Sequence, residues 1–80
     1  MKNTTTIFKL KSLSTYLKAR PAAYNTICDY AKLYTLLDCK EHWVYVDAAD
    51  VQKLLVPSLW REVSANCTQL IMPQTNLKRF

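Results

Sequence analysis

Three cysteines and one histidine are the residues of this chain with metal-binding or thiolate chemistry to offer: Cys28, Cys39, Cys67 and His42. Cys39 and His42 are spaced as half of a zinc site. A structural zinc needs a second pair equally close together. Cys28 and Cys67 instead fall on separate predicted helices, on or beside apolar faces, where a thiol behaves as a small hydrophobe. A Cys–His nucleophile pair would lack a third residue to orient the single imidazole. Asp47 and Asp50 are accounted for by helix capping, and no two carboxylates share a setting that would raise a pKa. The chain contains no glycine, which excludes the phosphate loops that need backbone without a Cβ. The expectation is no catalytic site, no metal and no cofactor.

What remains is charge. The formal net charge is +5 over 80 residues. Lys2, Lys9, Lys11, Lys18 and Arg20 occupy an N-terminal stretch without an acid. Lys78 and Arg79 close the chain. Asp29, Asp38, Glu41, Asp47, Asp50 and Glu62 lie between. Basic ends on a small protein suit a polyanion, usually nucleic acid.

The elements that must position these residues can be read from patterning. Residues 1–6 look like a flexible arm, and Ile7, Phe8 and Leu10 a short strand with Phe8 and Leu10 on one face. Ser12 or Ser14 can cap a first helix running to Ala19, with Leu13, Tyr16 and Leu17 on its apolar side. Pro21 ends it and opens a second helix, which needs no amide at its first position. That helix extends to about Leu33, with Asn25, Thr26, Asp29 and Lys32 on its open face. Residues 34–46 read as a hairpin turning at Asp38-Cys39-Lys40-Glu41, since Tyr34-Thr35 and Val44-Tyr45-Val46 favour strands. Asp47 caps a third helix over 48–56, with Asp50 at the third capping-box position. Pro57 ends that helix, and Ser58 can cap a fourth from Leu59 to Asn66, with Trp60, Val63 and Cys67 on one side. Leu70-Ile71-Met72 is a short strand, and 74–80 a tail.

Two short helices, a hairpin and another helix form a winged-helix order. The stretch from Tyr16 to Ile27 resembles the helix-turn-helix of excisionase and MerR-like DNA-binding domains. The stretch from Trp43 to Leu55 resembles their second wing strand and following helix. The resemblance covers about half the chain and implies a small α+β winged-helix-like domain: three to four short helices with a two- or three-stranded hairpin wing. It also implies double-stranded DNA as partner, with the second helix in the major groove and the wing on the backbone or minor groove. Asn25 and Thr26 would then read base edges. Lys18, Arg20 and Lys32 would contact phosphates, Lys40 and His42 would reach the backbone or minor groove, and Lys9 and Lys11 would extend the basic surface. Tyr16, Tyr24, Tyr30, Tyr34, Trp43 and Tyr45 could stack on bases in a single-strand binder, but at these spacings core packing is the ordinary role.

Half the residues are hydrophobic, enough for one thin-cored domain, since a chain this short buries only about 60% of its unfolded surface. Homodimerisation would add to that core. The odd cysteine count points to a reducing compartment, and residues 1–20 hold no apolar run of signal-peptide length, so a cytoplasmic location is expected, away from membranes. A second functional class fits the same numbers: a phage- or plasmid-type inhibitor or adaptor binding a protein through Leu59, Trp60, Met72 and Phe80. The two differ in placement. Cations sharing a face with Asn25 favour DNA; scattered cations beside an exposed Trp60 favour a protein.

Overall fold

Ile7 and Phe8 are neighbours in a strand and both are completely buried. Successive strand side chains point to opposite faces, so the sheet that contains them is covered on both sides. The computed structural model describes residues 3–37, 40 and 42–80. Its elements, in chain order, are β1 (Thr4–Lys9), α1 (Leu10–Tyr16), α2 (Pro21–Tyr30), β2 (Leu33–Leu36), β3 (Tyr45–Asp47), α3 (Ala48–Leu54), α4 (Pro57–Asn66) and β4 (Gln69–Pro73). A three-residue 3₁₀ turn, Gln74–Asn76, then leads into β5 (Leu77–Arg79). The architecture is small α+β: four helices and one five-stranded sheet in the order β4-β1-β3-β2-β5. Every pairing is antiparallel.

The Phe8 face holds the main core. Val46 lies directly opposite Phe8, and Leu13, Leu17, Ile27, Val51, Leu59 and Val63 from the four helices close over them. Trp60 meets Phe8 edge-on, with ring centroids 5.8 Å apart and an interplanar angle of 84°. That geometry sets the positive ring edge against the negative face. The opposite face buries Thr5, Ile7, Tyr45 and Asp47.

That second face is enclosed because the sheet curls. β4 and β5 are its two edges, which a flat sheet would hold roughly 19 Å apart, at about 4.8 Å per strand spacing. Only Gln74–Asn76 joins them, and the four steps from Pro73 to Leu77 reach at most about 14 Å. The strap bonds to both halves of the sheet. Gln74 N donates to Asn3 O (3.0 Å), and Leu37 N donates to Asn76 O (3.0 Å). Gln74 Nε2 donates to Thr5 Oγ1 at 3.1 Å.

Most expected elements form, with shifted ends. α1 stops at Tyr16, three residues early. α2 begins at Pro21 as expected and stops at Tyr30, because Ala31 turns extended (φ −80°, ψ 150°) and β2 begins at Leu33. Neither Ser12 or Ser14 at α1 nor Ser58 at α4 caps its helix; Lys9 and Val56 hold those positions without side-chain bonds. Leu10 opens α1 rather than sharing a strand face with Phe8. Thr4–Thr6 are not an arm: these β-branched residues pair with Ile71–Pro73. Residues 77–79 are not a tail: they supply the missing partner along the outer side of β2. β2 and β3 pair as expected for the hairpin, with Leu33 opposite Val46 and Tyr34 opposite Tyr45, and both lie inside the sheet, flanked by β1 and β5. Asp38, Cys39 and Glu41 of its turn lie outside the described residues.

Asp47 ties these layers together. Its Oδ1 accepts from Ala49 N at 3.0 Å, the expected cap of α3. Its Oδ2 accepts from Tyr34 Oη at 3.4 Å and lies 4.0 Å from Lys32 Nζ. Asp50 does not close a capping box; its Oδ2 accepts from Lys32 N at 2.9 Å, fastening the α2–β2 connection to α3. Replacing a capping, hydrogen-bonded buried carboxylate by a methyl group costs about 1–3 kcal/mol. Asp47→Ala is expected to lose that much in urea denaturation, and Asp47→Asn less, because the amide oxygen still accepts from Ala49.

Candidate nucleic-acid interface

The end of β1 and the start of α1 place two lysines on one aromatic ring. Lys9 is the last strand residue and the N-cap of α1, with φ −69° and ψ 123°. Lys11 follows one residue into the helix. Leu10 N between them donates to Val44 O at 2.9 Å, which holds the segment before β3 against this junction. Trp43, half-buried, thereby sits under both ammonium groups: Lys9 Nζ is 3.7 Å from the ring centroid and Lys11 Nζ 4.9 Å. The negative ring face attracts each cation. The cations repel one another, and an anion placed between them relieves that repulsion.

A groove of about 550 Å³ opens at this point. Ser12, Thr15, Asn66 and Thr68 line its polar side, and Tyr16 and Cys67 also face it. Among the described residues no carboxylate lines it. The Asn66 amide is committed to holding α4 against α1, donating to Glu62 O at 2.7 Å and Tyr16 Oη at 3.4 Å. Thr15 Oγ1 donates back to Lys11 O at 3.0 Å. Burial pushes the Cys67 thiol above its ordinary value, so it stays protonated near neutral pH and offers no thiolate nucleophile.

The residues expected on the second helix are arranged differently. Asn25 is exposed on α2. The Thr26 hydroxyl donates to Ala22 O of its own helix at 2.9 Å. Arg20, at the N-cap of α2, lies 4.0 Å from Glu62, and Lys32 is drawn to Asp47. Both pairs are half-exposed or involve a half-exposed cation, and such pairs contribute little to stability. Asp29 and Tyr30 are exposed on the same helix, with Tyr30 at 76%. Lys18 is exposed in the turn after α1, and Lys40 and His42 are exposed ahead of Trp43. Lys9 and Lys11 are thus brought together, while Arg20 and Lys32 are each tied to an acid.

Trp60 is packed on Phe8 and Leu59 is buried. Met72 lies in β4, and Phe80, exposed, follows β5. Cys28 and Cys67 are free thiols on separate elements, and among the described residues no group of His, Cys, Asp or Glu is placed to hold a metal. Cys39 lies outside the described residues. Among those described, no helix is long and apolar enough to cross a membrane.

Two features go beyond the sequence reading. One is the position of Trp43, there one of six aromatics weighed as base stackers or core residues, beneath two lysine ammonium groups. The other is a second, smaller pocket of about 310 Å³ on the Ile7 side of the sheet, lined by Thr5, Lys32, Tyr34, Gln74, Leu77 and Arg79. Arg79 Cζ lies 5.9 Å from the Tyr34 ring centroid.

Comparison with protein-family models, curated proteins and solved structures finds no match to this chain.

Desolvation, and next the nearby Asp47 carboxylate, raise the Tyr34 phenol above its ordinary 10.0. The folded state therefore holds this proton more tightly than the unfolded chain does. Its contribution to stability is fully present below pH 10 and is lost as pH rises through the raised value. Thermal melts from pH 8 to 11 are expected to show Tm falling above about pH 10, less steeply in Tyr34→Phe.

Proposed function

We propose that this chain is a small nucleic-acid-binding protein of an accessory or regulatory kind, gripping the phosphate backbone at the Lys9–Lys11–Trp43 groove. The observation that carries this reading is the convergence of two ammonium groups on one indole, beside hydroxyl-bearing Ser12 and Thr68, in a groove without a carboxylate among the described residues. Cation and hydroxyl contacts are the usual partners of phosphate oxygens. Lys18 continues the track. It is exposed in the turn after α1.

Direct reading of base edges by α2 has less support. Asn25 is exposed there, but the neighbouring Arg20 and Lys32 are engaged by Glu62 and Asp47, and exposed Asp29 on the same helix repels phosphate. The phosphate anchors are therefore assigned to α1 and its flanks, with α2 a secondary contact through Asn25.

Fluorescence anisotropy with labelled mixed-sequence DNA across a salt series tests this. Log affinity should fall linearly with log salt. Lys9→Ala with Lys11→Ala should weaken binding and reduce that slope by roughly 1.4–1.8, two contacts' worth. Asn25→Ala should leave the slope unchanged. Absence of binding at low salt would end this reading, because non-specific electrostatic attachment is strongest there.

A further inference from the structure

The sheet ends on two unlike edges. β5 carries Lys78 and Arg79, both exposed. Charged side chains, lysine above all, are a common means of keeping a foreign strand from pairing with an open edge. β4 has no such protection. From Val63 to Leu77 the sequence holds no charged residue, and β4 itself reads Gln69-Leu70-Ile71-Met72-Pro73. Ile71 is 70% exposed and Leu70 39%. Among the described residues the single strand neighbour of β4 is β1.

The ladder also fixes which backbone groups of β4 face outward. Gln74 N donates to Asn3 O at 3.0 Å, extending the β1–β4 register one pair beyond Thr4 and Pro73. In an antiparallel ladder, pairs that exchange hydrogen bonds alternate with pairs that do not. Leu70 and Met72 therefore bond toward β1, as Gln74 does. The amide and carbonyl of Gln69 and Ile71 point away from it, along with the carbonyl of Pro73.

We infer that β4 pairs antiparallel with β4 of a second copy of this chain, about a two-fold axis at Ile71. In that register Ile71 meets its own counterpart, Leu70 meets Met72, and Gln69 meets Pro73. The two Ile71 residues exchange amide and carbonyl bonds, and each Gln69 amide reaches a Pro73 carbonyl, about four backbone hydrogen bonds in all. Proline, which cannot donate, serves there as an acceptor. Leu70, Ile71 and Met72 meet apolar side chains on both faces of the joined sheet. Charge favours this occupant and this edge. Each copy carries +5, and pairing through β5 would set Lys78 and Arg79 against the same cations of the other copy, whereas β4 brings no like charges opposite one another. A self-complementary pair also closes on itself, so it covers the edge without starting a fibre. The contact is smaller than a permanent interface and exchanges with free monomer. It stands apart from the nucleic-acid reading.

Sedimentation velocity of the whole chain, with reductant present, from about 5 µM to about 1 mM covers the range expected of so small a contact. The average mass is expected to rise with concentration toward twice that of the monomer and to stop there. Ile71→Lys, at an exposed position, sets two cations face to face and is expected to raise the dissociation constant at least tenfold; Lys78→Ala on the other edge should leave it unchanged. Hydrogen exchange of the unaltered chain needs no variant to fold: the Gln69 and Ile71 amides should slow as concentration rises. A monomer at every concentration would overturn the inference. So would a dimer that Ile71→Lys leaves intact and whose Gln69 and Ile71 amides exchange at unchanged rates, because another face would then hold it. Growth past the dimer would overturn it as well. The Lys9–Lys11 groove is untouched by any of these results.

Discussion

Three residues join the two edges of a five-stranded sheet, and the rest of the molecule follows from that short span. Gln74–Asn76 cannot bridge a flat sheet of this width, so the strands coil until Pro73 and Leu77 come within reach. Coiling gives the sheet an inside as well as an outside. The outside carries Phe8 and Val46 under the four helices. The inside closes over Ile7, Tyr45 and Asp47, so a chain too short for one large core has two small ones. The strap's bonds to Asn3, Thr5 and Leu37 hold the coil at both halves of the sheet.

The same coil organises charge. A lysine at the end of a strand ordinarily extends into water, where solvation and salt blunt it. Here β1 delivers Lys9, and the helix that starts at the next residue returns Lys11 toward the same indole. The acids are drawn elsewhere. Asp47 and Asp50 are used up by α3, Lys32 and Tyr34, and Glu62 faces Arg20. Among the described residues no carboxylate lines the groove where the sheet meets α1.

The elements legible in the sequence were those with local signals. Pro21 marks the break before α2, Asp47 the start of α3, and Pro57 the boundary between α3 and α4; Leu70 to Met72 read as a strand from their own residue types. What escaped were long-range pairings. Thr4–Thr6 carry strand-forming side chains but too little apolar patterning to look like a strand until β4, more than sixty positions later, lies beside them. Leu77–Arg79 has no strand pattern of its own and becomes one because the outer side of β2 would otherwise be unpaired. The site shows the same division. Lys9 and Lys11 were visible as charge, whereas Trp43 meets them only because the segment before β3 is bonded to the β1–α1 junction through Leu10 and Val44, a contact that no local window contains.

The missing glycines leave a mark on the folded backbone. Among the described residues none has positive φ, and α2, α3 and α4 end on extended residues instead of left-handed ones: Ala31, Leu55 and Cys67, with φ of −80°, −100° and −108°. A chain of this length and average composition would carry about six glycines. Each replacement by a side-chain-bearing residue at a compatible position narrows the unfolded ensemble by about 0.4–1 kcal/mol. The chain thus has less disorder to lose on folding, a form of stability that resides in the denatured state and that no list of native contacts records.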